Sequence, residues 1–186
     1  MALAKKADEV LMTGDELWHR SDLEPCELIE GRIVRTCPAG PVHGGLEVRL
    51  SARLFGWADS TECGSVLAGE VGIYVRRDPD TVRAADVLFI SAERYARRQP
   101  AGYLDIAPEL VVEILSPDDR WSEVMAKLAE YFEAGVDRVW VVDGRLRRVF
   151  SYRSLAEVEP LSGGDVLTDE EILPGFSLPL AELFRD

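Results

Sequence analysis

Lysine is nearly missing from this chain. Its 186 residues include 18 arginines but three lysines, Lys5, Lys6 and Lys127, so a single lysine serves everything beyond the first six positions. Cysteine is scarce as well. Cys26, Cys37 and Cys63 form no CxxC pair, and His19 and His43 complete no zinc pattern. Free cytosolic thiols are the reading. Positive charge is short overall, with 21 Lys plus Arg against 34 Asp plus Glu and a net charge of −13. A whole-body attraction to nucleic acid is not expected, and a polyanionic partner would need local basic patches or bound cations. No apolar run approaches the roughly 18 residues that span a bilayer. The N-terminal MALAKKADEVLMTGDELW has no signal-peptide core. The expectation is a cytoplasmic protein without membrane contact.

What is present is an ordinary globular balance, 47% apolar and 30% charged, at the length of one domain over residues 1–186. Thr13 and Glu16 have capping-box spacing and predict a helix over 13–20. CELIEGRIVRT reads as two short strands around Glu30-Gly31. Leu46, Leu50, Leu54 and Trp57 line one side of a helix from Val42 to Trp57. GEVGIYVRR and VRAADVLFIS are β segments joined at Asp78-Pro79-Asp80. The apolar run Glu109–Ser116 reads as a strand, Asp119–Ala134 as a helix stopped by Gly135, and VDRVWVVD as a strand with RLRRVFSYR as its hairpin partner. Strand–helix–strand followed by a strand suggests a mixed sheet covered by helices. The tail over 165–186 is expected to pack back on the core as a short strand and a helical turn. Trp57, Trp121 and Trp140 are expected in the core.

Some charges do not suit this frame. Glu113 interrupts LVVEIL, where an unpaired carboxylate costs several kcal/mol. An edge position facing water, or an arginine partner, would relieve it. Asp86 is placed at the start of a neighbouring apolar strand. Two such carboxylates repel each other unless a cation lies between them, and hard ions such as Mg²⁺ take oxygen ligands. The backbone carbonyl of Ile114 would point into the same site. That donor set suits metal-assisted hydrolysis. Lys127 borders the apolar stripe of its helix. It could form an ordinary i,i+4 pair with Glu123, worth about 0.3–0.5 kcal/mol. Arginine would serve such a pair equally well, so the rarity of lysine points instead to a compact ammonium that reaches water and phosphate.

CELIEGRIV, His43, RAADVLFIS, PELVVEILSPDDR and KLAEYFEAGVDRVWVVD together resemble the Uma-two family, which is similar to the PD-(D/E)XK restriction-endonuclease-like superfamily. The resemblance covers about 27–152. It implies an α/β (α+β) fold, a restriction-endonuclease-like mixed β-sheet flanked by helices with extra β-hairpins and a core of about 24–153. It also implies a divalent-metal site. Asp86 matches the Asp of the first motif, Glu113 the acidic residue of the second, and Lys127 a lysine moved to the following helix. Glu27 matches an additional acidic residue and His43 a family histidine. Ala85 stands where the superfamily motif has Pro, and Leu115 where it has Lys.

The expected function is therefore Mg²⁺-dependent (or Mn²⁺-dependent) endonucleolytic hydrolysis of DNA. Asp86, Glu113 and the Ile114 carbonyl would hold the metal, and Lys127 and Glu27 would complete the catalytic group. Glu70, His43 and Arg83 are further candidates near the substrate, and Arg76, Arg77, Arg94, Arg97, Arg98, Arg145, Arg147 and Arg148 could touch phosphate. A homodimer would place two sites for two strands. The alternative is a non-catalytic interaction protein that keeps the fold, which the −13 charge favours.

Overall fold

The structure, a computed structural model, describes residues 11–23 and 25–185. Lys5, Lys6 and the terminal positions proposed for the core at 24 and the tail at 186 lie outside the described residues.

Helix α1 (Gly14–Trp18) is capped as its sequence predicts, with Thr13 and Glu16 bonding each other's backbone N–H groups. Strands β1 (Cys26–Ile29) and β2 (Arg32–Arg35) form the hairpin around Glu30-Gly31. Helix α2 (Pro41–Thr61) is longer than its apolar stripe suggested, with proline in its first turn. It buries Leu46, Leu50 and Leu54. Strands β3 (Gly64–Arg76) and β4 (Thr81–Ser91) make the long hairpin closed over Asp78–Asp80. A short helix α3 (Ala92–Ala96) follows, capped by the Ser91 hydroxyl. Then β5 (Leu110–Ile114), α4 (Trp121–Ala134) and β6 (Arg138–Asp143) form a parallel strand–helix–strand unit. Gly135 ends α4 at φ 98°, a left-handed conformation that glycine adopts without strain.

Strands β7 (Arg148–Ser154) and β8 (Glu157–Ser162) extend the sheet, while β9 (Val166–Asp169), β10 (Leu173–Pro179) and α5 (Leu180–Leu183) form the tail. The eight-stranded mixed sheet runs β2-β1-β4-β5-β6-β7-β8, with β3 also on β4, and β9 and β10 pair separately. α2, β10 and α5 cover one face through Leu50, Leu54, Phe176 and Leu180 against Val87, Val112 and Trp140. α4 covers the other through Leu128 and Tyr131 against Leu88, Val111 and Val139. A smaller cluster of Leu17, Leu28, Tyr74 and Val82 joins α1 to the sheet.

Two expectations change. Trp121 is not core: it is 47% exposed in the first turn of α4, where its ring meets Phe150 edge-on. Asp86 lies in the middle of β4, not at its start. Arg83 lies in β4, within the β segment expected there, and its guanidinium is buried against two carboxylates.

Candidate active site at a seam in the sheet

β4 is held by β3 along one edge, but its other edge is shared. It meets β1 at Leu28–Val82 and β5 only from Val87–Val112 onward. Between these pairings a seam opens at residues 83–86, where side chains satisfy backbone groups. Glu27 Oε1 accepts from the Ala84 N–H at 3.0 Å, and Lys127 Nζ donates to the Ala84 carbonyl at 2.8 Å. Asp86 Oδ2 accepts from the Ile114 N–H at 2.6 Å. One step beyond the last β4–β5 pair, the register sets Asp86 opposite Glu113. The strand pairing itself thus brings the two carboxylates to one place.

The opposite edge of β4 carries a bulge. Ala68 pairs with Val87 and Val71 with Ala85, so Gly69 and Glu70 stand together opposite Asp86. Both have positive φ, 89° and 59°. Gly69 takes that conformation freely, and Glu70 is set beside the carboxylate group. Glu70 therefore lies within β3 and does not begin it.

Lys127 ties the group together. Its Nζ is 2.7 Å from Glu113 Oε2 and 3.2 Å from Glu27 Oε1, so with Ala84 its three donors have three acceptors. Lys127 does not pair with Glu123, which is exposed and, among the described residues, reaches toward Arg120. Glu27 is fixed from behind by Arg83, whose Nη1 is 2.7 Å from Glu27 Oε2 and whose Nε is 2.5 Å from Glu130 Oε2. The buried Arg83 guanidinium thus holds a site carboxylate. His43, in the first turn of α2, brings Nε2 to 3.3 Å from Asp86 Oδ2. The Tyr131 hydroxyl donates to Glu113 Oε1 at 2.7 Å.

These contacts set the charge states. Burial pushes the Glu113 carboxyl up to about 7; Lys127 pulls it down and the Asp86 charge adds to the rise. Burial also pushes up Glu27, but Lys127 and Arg83 more than offset that and hold it below its ordinary value. Lys127 loses to burial and gains more from Glu113 and Glu27, so its ammonium is held more firmly than usual. Burial and Asp86 raise Glu70, and the hydrogen bond to Asp86 raises His43.

Glu27, Asp86, Glu113 and Lys127 come together, with His43, Glu70 and Arg83 around them. The Ile114 N–H faces Asp86, and in an extended residue the carbonyl lies on that same edge. Tyr131 and Glu130 escaped the sequence reading. Both lie within one turn of Lys127 on α4, the spacing at which helix neighbours share a face. Three of the other arginines are occupied: Arg94 pairs with Glu109 and Asp137, Arg76 with Glu30, and Arg77 stacks on Tyr74.

Among the described residues no three His, Cys, Asp or Glu side chains gather as a metal cluster. A hard Mg²⁺ ion needs fewer, since it accepts one or two carboxylates and keeps its waters. The Asp86 charge adds to the rise of the Glu113 carboxyl, a repulsion that a cation would relieve. The donor chemistry fits.

The model of the Uma2 family, described as putative restriction endonuclease, matches residues 16–181. The chain belongs to the Uma2 family. Its fold is similar to the crystal structure of a putative nuclease belonging to DUF820 from Anabaena variabilis, with a TM-score of 0.78. That similarity extends over 93% of this chain and 97% of the other at 22% identity. No curated protein matches. This Uma2 chain therefore has a nuclease-like fold, and among its described residues no helix is long and apolar enough to cross a membrane.

Proposed function

We propose that this Uma2 protein is a divalent-metal-dependent endonuclease that hydrolyses DNA phosphodiester bonds. The supporting observation is the seam, where Asp86 and Glu113 face each other across β4 and β5 and Lys127 bonds Glu113 and Glu27. Asp86, Glu113 and the Ile114 carbonyl would hold Mg²⁺ or Mn²⁺. When bound, such an ion supplies Lewis acidity at phosphate and an activated water.

The chain's own groups do the rest. Lys127 brings a fixed positive charge to the oxygen on which charge grows. Glu27, clamped by Arg83, keeps that ammonium in place. Tyr131 and His43 orient the two metal-binding carboxylates. The same proposal includes a homodimer, in which a two-fold would relate two such sites.

A second reading, an interaction protein that keeps the fold without cleavage, is favoured by the net charge of −13. One experiment separates them. Plasmid, linear and single-stranded DNA are incubated at low salt with Mg²⁺ or Mn²⁺, using wild type, Asp86→Asn and Glu113→Gln. Metal-dependent cleavage by wild type alone supports the nuclease; no cleavage of any substrate supports the interaction protein.

A further inference from the structure

Beside the carboxylate group lies a cleft of about 490 Å³, within the size range of small-molecule sites. Glu70 and Ala84 belong to its wall, so it adjoins the seam directly. Its other walls are aromatic: Trp18 at the end of α1, Tyr95 of α3, and Tyr103 from the connection to β5. Trp18 and Tyr103 meet edge-to-face with ring centroids 5.2 Å apart. Tyr103 packs closely on β3 at Gly72, where a Cβ would come within 2.2 Å of the ring. The Arg98 guanidinium sits 3.6 Å above the Tyr95 ring. Gln99 and Thr36 add hydrogen-bonding groups to the lining.

Trp18 is 48% exposed, an unusual position for so large an apolar surface. Yet it is not loosely held. The helix bearing it is fixed by the Thr13 cap, by the Tyr74 hydroxyl donating to Asp15 at 2.8 Å, and by the Gly14 N–H donating to Asp80 at 2.8 Å. An indole carried on an anchored helix, in the same cleft as Glu70 and Ala84, can serve as a stacking platform.

The occupant follows from the chemistry. The cleft is lined by aromatic side chains and a few polar groups, a composition that suits a planar nucleobase. Phosphate attraction is weak in a protein of net charge −13 whose Arg76, Arg83 and Arg94 are paired internally. Stacking is the affinity term that remains, worth about 1–3 kcal/mol per base. A paired base in a duplex has no free face to offer.

The geometry points to a cleft that receives an unpaired nucleobase next to the scissile phosphate, which makes single-stranded or locally unpaired nucleic acid the substrate class. This rests on the nuclease reading and sharpens it. Base stacking on Trp18 and Tyr103 would set the strand in register, so that its phosphate meets Asp86, Glu113 and Lys127.

The test uses the full chain, a short fluorescein-labelled single strand, the same strand without bases, and the blunt duplex. Binding is followed by anisotropy in EDTA, and cleavage is followed separately in Mg²⁺. The intact single strand is expected to bind more tightly than the duplex or the abasic strand. Trp18→Ala should weaken that binding roughly five- to hundredfold and raise KM more than it lowers kcat. Trp18→Phe, which keeps a ring, should recover most of it. Equal binding by wild type and Trp18→Ala, or preference for the duplex, overturns the inference. Cleavage indifferent to Trp18 would leave a nuclease without this pocket. Trp18-dependent binding without any cleavage would support the pocket and remove the catalytic reading.

Discussion

Nζ of Lys127, on α4, lies 2.7 Å from Oε2 of Glu113, on β5. Both side chains are largely buried, and the same ammonium reaches Glu27. Removing one partner of such a pair leaves a charge without compensation, which costs about 3–5 kcal/mol. Lys127→Met should therefore lower stability by that order at pH 8 in denaturant titration. The loss should shrink near pH 5.5, where Glu113 accepts a proton. Lys127→Arg keeps the charge but replaces a compact donor with a broad planar one, and should fold while losing most cleavage. Glu123→Ala should change neither stability nor cleavage. Unaltered cleavage by Lys127→Arg would show that charge alone suffices at this position.

Metal binding has a thermal signature. A ligand that binds only the folded state stabilises it by mass action. Mg²⁺ or Mn²⁺ should raise the melting temperature of wild type more than that of Asp86→Asn. Equal shifts would mean that the ion binds the acidic surface at large.

The pH dependence of the metal-free protein follows from Glu113. Its carboxyl is raised from 4.5 to about 7, so the folded state binds more protons in that interval. The resulting contribution is complete below about pH 4.5 and lost as pH rises through about 7. Across that window wild type should lose stability relative to Glu113→Gln, by about 3 kcal/mol. Parallel stability curves for the two proteins would contradict the raised pKa.

A separate prediction concerns the tail. Arg138 is buried on β6 and pairs with Asp169 on β9 and with Glu171. Asp169→Ala would strand a buried guanidinium and should lower stability by about 3–5 kcal/mol with the seam unaltered. A change below 1 kcal/mol would mean that Glu171 alone satisfies the arginine.

Much of this arrangement was legible in the sequence because it rests on strong local signals. The capping box at Thr13, the leucine stripe of α2 and the glycine stop of α4 are readable from spacing. Asp86, Glu113 and Lys127 stood out because each conflicts with its apolar surroundings or with the chain's preference for arginine. The seam itself was not legible, since it depends on where β1 and β5 end along β4, and no local pattern encodes that. Tyr131 was hidden because a tyrosine at helical spacing reads as core, which by burial it is, until its hydroxyl is seen to bond Glu113. β8 was missed because EVEPLS is polar with a proline, as suits an exposed edge strand and not a buried one. α3 is too short to show a period.

The hydrogen bonds at Ala84 have a dynamic consequence. Its amide proton is held by Glu27 and its carbonyl by Lys127, so motion of either charged side chain leaves a backbone group of β4 without its partner, while the pairing with β3 at Gly72 stays. A ligand that moved Glu27 would then uncover that amide. Exchange of the Ala84 amide with solvent would register it directly, from a position that no ligand needs to touch.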